Sequence, residues 1–130
     1  MHKNSLKSED KPKMNPLIHL TTRLIAFRDA RDWKQFHSLK DLILSLNLEA
    51  SELLELTQWK NSDDFERLSA EPEMKAKLEE ECADVLLYLL LIAERAGIDL
   101  AAVADKKIDL NGEKYPVDKA KGVAKKYDEL

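Results

Sequence analysis

From residue 16 onward the chain is a series of apolar stripes at three- and four-residue spacing, separated by short polar breaks. Leu17, Leu20, Leu24 and Phe27 form the first stripe, and Pro16 suits an opening helical turn. A helix is predicted from Pro16 to about Arg31. "DWKQFHS" reads as a loop carrying Trp33, Phe36 and His37, and Ser38 can cap a second helix from Leu39 to about Gln58. A short helix is predicted around Asp63–Ser69. A long one is opened by Pro72 and stopped by Gly97. Asp99 can cap a last helix to about Leu110. Residues 1–15 read as a flexible polar tail, 16–118 as one all-α domain, and 119–130 as a basic, weakly ordered tail. No segment alternates with the period of a strand, so the fold class is an all-α four-helix bundle.

Two features disturb this pattern. The run Val85–Ala93 is apolar all round, which predicts a helix whose outer face is covered by a second subunit. In the second helix, Leu42, Leu46, Leu53 and Leu56 share a stripe, yet the position one turn after Leu46 is Glu49. A carboxylate there is costly to bury without compensation. Glu52 is its i+3 neighbour, and Glu81 and Asp84 form a matching pair on the long helix, with Tyr88 on the same face.

Composition narrows what such carboxylates can do. The chain has 130 residues, enough for one self-sufficient core, with 44% hydrophobic and 35% charged residues. A net charge of −4 argues against a nucleic-acid partner. Cys82 is the single cysteine, so it has an expected structural role, no internal disulfide can form, and a cytoplasmic location is expected. The nine-residue apolar run is too short for a membrane span, and the N-terminus lacks the apolar core of a signal peptide.

Spacing alone leaves two readings open for the acidic pairs: solvated helix faces, or a cation site. Four carboxylates converging in a bundle repel and resist desolvation, and a divalent cation relieves both. All-oxygen donors select a hard ion, Mg²⁺ or Mn²⁺. The chain's histidines, His2, His19 and His37, lie at no spacing that suits a di-iron or zinc site.

The order Glu49-x-x-Glu52, twenty-eight residues, Glu81-x-x-Asp84 resembles the metal-binding signature of the MazG-like all-α nucleoside triphosphate pyrophosphohydrolases. "RDWKQFH", "EASELLELTQWK", "EEECADVLLYLL" and "KIDLNGEKYP" are similar, in that order, to the dCTP pyrophosphatase branch. The resemblance spans roughly Leu17 to Leu130. It implies Mg²⁺ held by Glu49, Glu52, Glu81 and Asp84, and cleavage between the α- and β-phosphates to give a monophosphate and pyrophosphate. It also implies a homodimer or homotetramer whose site borrows residues across a subunit interface.

Among the four carboxylates, Glu52 at the stripe's edge is favoured to orient the attacking water. Trp33, Phe36 and Trp59 are candidates for the base pocket, His37 for a base contact or for closing the loop, and Tyr88 for lining the pocket. Lys107, with Lys114 and Lys60, is placed to hold phosphate charge; Asn111 and Tyr115 can donate hydrogen bonds to phosphate or sugar. Asp109 is either a sugar ligand or a surface residue. The expected substrate is dCTP or a 5-substituted dCTP. Two alternatives stay open: another or noncanonical nucleotide, and a non-enzymatic helical interaction module.

Overall fold

Asn15 and Pro16 start the first helix together: the Asn15 side chain accepts a hydrogen bond from the Leu17 amide at 2.9 Å, and Pro16 occupies the position where its missing N–H costs nothing. The computed structural model describes residues 15–130, and every regular element among them is helical. These are α1 (Pro16–Ala30), α2 (Leu39–Glu55), α3 (Ser62–Ser69), α4 (Pro72–Ala96), α5 (Leu100–Lys114) and α6 (Val117–Ala120). Two short 3₁₀ turns, Lys34–Phe36 and Tyr127–Glu129, complete them. Residues 1–14, with His2, lie outside the described residues.

Side-chain caps start most of the helices. Ser38 accepts from the Asp41 amide at 3.1 Å, Asn61 from Asp64 at 2.9 Å, and Asp99 from Ala102 at 3.1 Å. Gly97 ends α4 in the left-handed region, at φ 68°, and the Ile98 amide reaches back to the Ala93 carbonyl at 2.8 Å.

Two helix ends differ from the prediction. α2 stops at Glu55 rather than near Gln58. The amides of Leu56, Thr57 and Gln58 turn to carbonyls three residues back, the Thr57 hydroxyl donates to the Leu54 carbonyl, and Trp59 sits at φ 64°. α5 runs past Leu110 to Lys114, carrying Asn111 and Gly112 inside the helix until Pro116 stops it.

The core is built on α4. α2 packs along it most extensively, with α1 and α3 on its remaining flanks. Among the described residues, Leu42, Leu90, Leu91 and Ala93 are the buried apolar ones. Within one chain, Val85–Tyr88 and Ile92 are half-buried and Leu89 stays exposed, so the apolar run is incompletely covered. α5 stands apart: every residue from Ala102 to Lys114 is exposed, including Val103 and Ile108. The chain therefore has four long helices but packs only three of them, with α3, around its own core.

Candidate metal centre and adjoining pocket

The α2–α4 seam brings the acidic pairs together. Glu49 and Glu52 leave α2 one turn apart, and Glu81 and Asp84 do the same on the facing stretch of α4. Carboxylate oxygens of Glu49, Glu52 and Glu81 all lie within 4.8 Å of one another. Asp84 is outside that trio, but its charge acts on both Glu49 and Glu81.

Burial pushes the Glu49 and Glu81 carboxyls above their ordinary range. The Glu52 carboxylate, close enough to share a proton with either, adds to the shift, as does the charge of Asp84. Glu49 Oε2 and Glu81 Oε2 are buried and have no hydrogen-bond partner. Unsatisfied buried oxygens of like charge, facing one another, are what a hard cation would satisfy. The donor set is all carboxylate oxygen, with no histidine or cysteine among the trio, and so fits Mg²⁺ or Mn²⁺. Cys82 is exposed beside Glu81.

Asp84 also belongs to the wall of a cavity of about 230 Å³ between α1, the Trp33–His37 loop and α4. Trp33, His37 and Tyr88 line it together with Phe27 and Leu87. Phe27 and Trp33 meet edge to face at 5.7 Å, and the Arg31 guanidinium lies 3.6 Å over the Phe27 ring. His37 Nδ1 is buried without a partner.

The remaining predicted site residues are elsewhere in the single chain. Phe36 is 66% and Trp59 94% exposed, and neither lines the cavity. Lys107, Asn111 and Tyr115 are exposed on and just beyond α5, where Tyr115 meets Tyr127 edge to face and Lys114 lies over the Tyr127 ring. Lys60 is exposed on the α2–α3 turn.

One charged lining residue was not among the residues predicted from sequence. Arg28 is only 5% exposed, borders the cavity, and pairs with Asp29 at 2.9 Å and with Glu94 of α4 at 3.1 Å. The signal was present: Arg28 follows Leu24 by four residues and so interrupts the α1 stripe as Glu49 interrupts that of α2.

Fold and site together define a helical protein with a cation-type acidic centre opening onto an aromatic pocket. The chain belongs to the MazG-like family, whose model matches residues 44–130. It is 41% identical over 116 residues to dCTP pyrophosphatase 1 of Rattus norvegicus, covering 88% of this chain and 68% of that protein. Identity to dCTP pyrophosphatase 1 of Homo sapiens is 40% over the same length and coverage. A crystal structure of a pyrophosphatase from Archaeoglobus fulgidus superposes with a TM-score of 0.73 at 37% identity, covering 78% of this chain and 94% of that one.

Proposed function

We propose that this protein is a Mg²⁺-dependent nucleoside triphosphate pyrophosphohydrolase. It hydrolyses dCTP, or a 5-substituted dCTP, to the monophosphate and pyrophosphate, and so removes unwanted deoxynucleotides from the pool. The observation that carries this reading is the convergence of Glu49, Glu52 and Glu81, with buried unpartnered oxygens, next to a pocket walled by Trp33 and Tyr88.

Glu49, Glu52, Glu81 and Asp84 are the residues that would hold the cation, which supplies charge neutralisation to the triphosphate oxygens. Phosphoryl transfer of this kind needs alignment and electrostatic support rather than a covalent nucleophile. Glu52 is the exposed member of the trio and sits where water can reach it. It orients the attacking water and accepts its proton, while the bond from the α-phosphorus to the bridging oxygen breaks and pyrophosphate leaves. Asp84 stands between the cation site and the pocket, and so sets the distance from triphosphate to base.

The base enters the Trp33–Tyr88 pocket, with His37 Nδ1 as a hydrogen-bonding group. Lys107, Asn111 and Tyr115 reach a triphosphate only from the α5 of a second copy, because α5 extends away from its own core. Exposed Ile43, Leu44 and Leu48 on α2, with Val103 and Ile108 on α5, give such a homodimer or homotetramer apolar surface to bury. Phe36 and Trp59, both exposed, join the base pocket across the same interface. No helix among the described residues is long and apolar enough to cross a membrane. The single cysteine, Cys82, favours a reducing, cytoplasmic location.

Incubation of the purified protein with each deoxynucleoside triphosphate and Mg²⁺, followed by separation of products, tests this reading. Monophosphate and pyrophosphate are expected, fastest from dCTP. Diphosphate and orthophosphate would refute the bond assignment.

A further inference from the structure

A buried arginine in a pocket walled mostly by aromatic and aliphatic side chains, with His37 and Asp84 as its other ionisable groups, requires a chemical reason. Arg28 is fixed from two sides: Nε donates to Asp29 Oδ1 at 2.9 Å and Nη1 to Glu94 Oε2 at 3.1 Å. Its third nitrogen, Nη2, has no protein acceptor among the described residues. Nor is Nη2 among the buried unpartnered side-chain atoms, which are His37 Nδ1, Glu49 Oε2 and Glu81 Oε2. Arg28 itself borders the Trp33–Tyr88 cavity.

The position along α4 fits a ligand lying lengthwise. Asp84, Leu87 and Leu91 line the cavity from one face of that helix, and Glu94 follows one turn later. Asp84 to Leu91 is seven residues, a rise of about 10 Å. The acidic centre thus lies at one end and the Arg28–Glu94 pair at the other. The cavity, about 230 Å³, is smaller than the roughly 300–1,000 Å³ that holds a whole drug-sized ligand, so it suits the base of a nucleotide and leaves the phosphates outside.

We infer that Arg28 reads the base: its Nη2, unpaired among the described residues, donates to the acceptor edge of a cytosine, the C2 carbonyl oxygen and the adjacent ring nitrogen. A guanidinium has donors only and stays charged, so it favours an edge bearing two acceptors over one bearing an N–H. Asp29 and Glu94 hold the group in place before the substrate arrives, which keeps the ordering cost of a long side chain out of binding. This assignment deepens the proposed function and rests on it.

The test compares kcat/KM for dCTP with that for the abasic deoxyribose 5′-triphosphate, in Mg²⁺, for wild type, Arg28→Met, Arg28→Lys and the double variant Arg28→Met with Glu94→Gln. Loss of a charge-assisted hydrogen bond lowers the preference for dCTP over the abasic compound by roughly 10–100-fold in the Met variants. Arg28→Lys keeps the buried charge but not the forked donors, and its preference falls too. A purely structural Arg28 would depress both substrates in parallel; an unchanged ratio in any variant that folds overturns the assignment. The Lys variant and the charge-balanced double variant guard against misfolding of Arg28→Met. A wild type that shows no preference for dCTP over the abasic compound would instead remove the base assigned under the proposed function, and this inference with it.

Discussion

Replacing Glu49 by Gln should move stability in opposite directions with and without a divalent cation. One carboxylate oxygen from each of Glu49, Glu52 and Glu81 lies within 4.8 Å of the other two. For Glu49 and Glu52 that spacing gives a repulsion of about 0.9 kcal/mol in water and about 3.5 kcal/mol at an effective dielectric constant of ~20. Glu52 is exposed, so a value of about 1 kcal/mol is the better guide. Gln keeps the size of Glu and removes the charge, so in chelator the variant should melt about 3–5 °C above wild type. Saturating Mg²⁺ reverses the order. At a hundredfold excess over Kd the cation adds about 2.7 kcal/mol to the wild type, or about 8–13 °C. The variant, short of one anionic ligand, gains far less. Thermal melts of both proteins, in chelator and in millimolar Mg²⁺, give the four values needed. If Mg²⁺ raised both proteins equally, or if the variant were the less stable one in chelator, Glu49 would not be a ligand and the acidic cluster would have to be a solvated face.

The same electrostatics set a pH dependence. The native carboxyls of Glu49 and Glu81 titrate above the ordinary 4.5, so the native state binds protons more tightly than the unfolded chain. Their contribution in chelator is fully present below 4.5 and is lost as pH rises through the raised native values. With Mg²⁺ the trend inverts, because ligation requires the deprotonated carboxylates; denaturant melts across this range, with and without the cation, measure both slopes. Leu90→Ala, at a site 2% exposed on α4, should cost roughly 2–5 kcal/mol by chemical denaturation without altering base preference. Gly97→Ala meets no atom within 4 Å, so its cost is conformational, roughly 1 kcal/mol from the left-handed φ of 68°. A near-neutral result there would mean that the α4–α5 junction relaxes.

Local chemistry explains which parts of the fold could be read in advance. Caps such as Ser38 and Asp99 act within three residues, and Pro16, Pro72 and Gly97 act on their own backbone, so the starts of the long helices and the end of α4 were legible; the Asn15 cap was not. The end of α2 was not, because apolar and helix-compatible residues continue to Gln58 while the chain is turned by Thr57 and the positive φ of Trp59. The end of α5 was missed for the opposite reason: Asn111-Gly112 reads as a break, yet the helix absorbs it and continues to Pro116. In the site, the acidic pairs were visible because charges interrupt a leucine stripe. Arg28 interrupts the α1 stripe in the same way, but its partner Glu94 is 66 positions away, so what it pairs with shows only on folding.

The protrusion of α5 has a kinetic side. A helix of 15 residues is marginal in water on its own strength, and beyond Ala101 this one has no buried face of its own. Its amides should therefore exchange with deuterated solvent faster than those of α4 when the protein is dilute, and slow down as concentration rises and copies meet. Exchange along Ala102–Lys114 would then gauge assembly directly, residue by residue, without any nucleotide present.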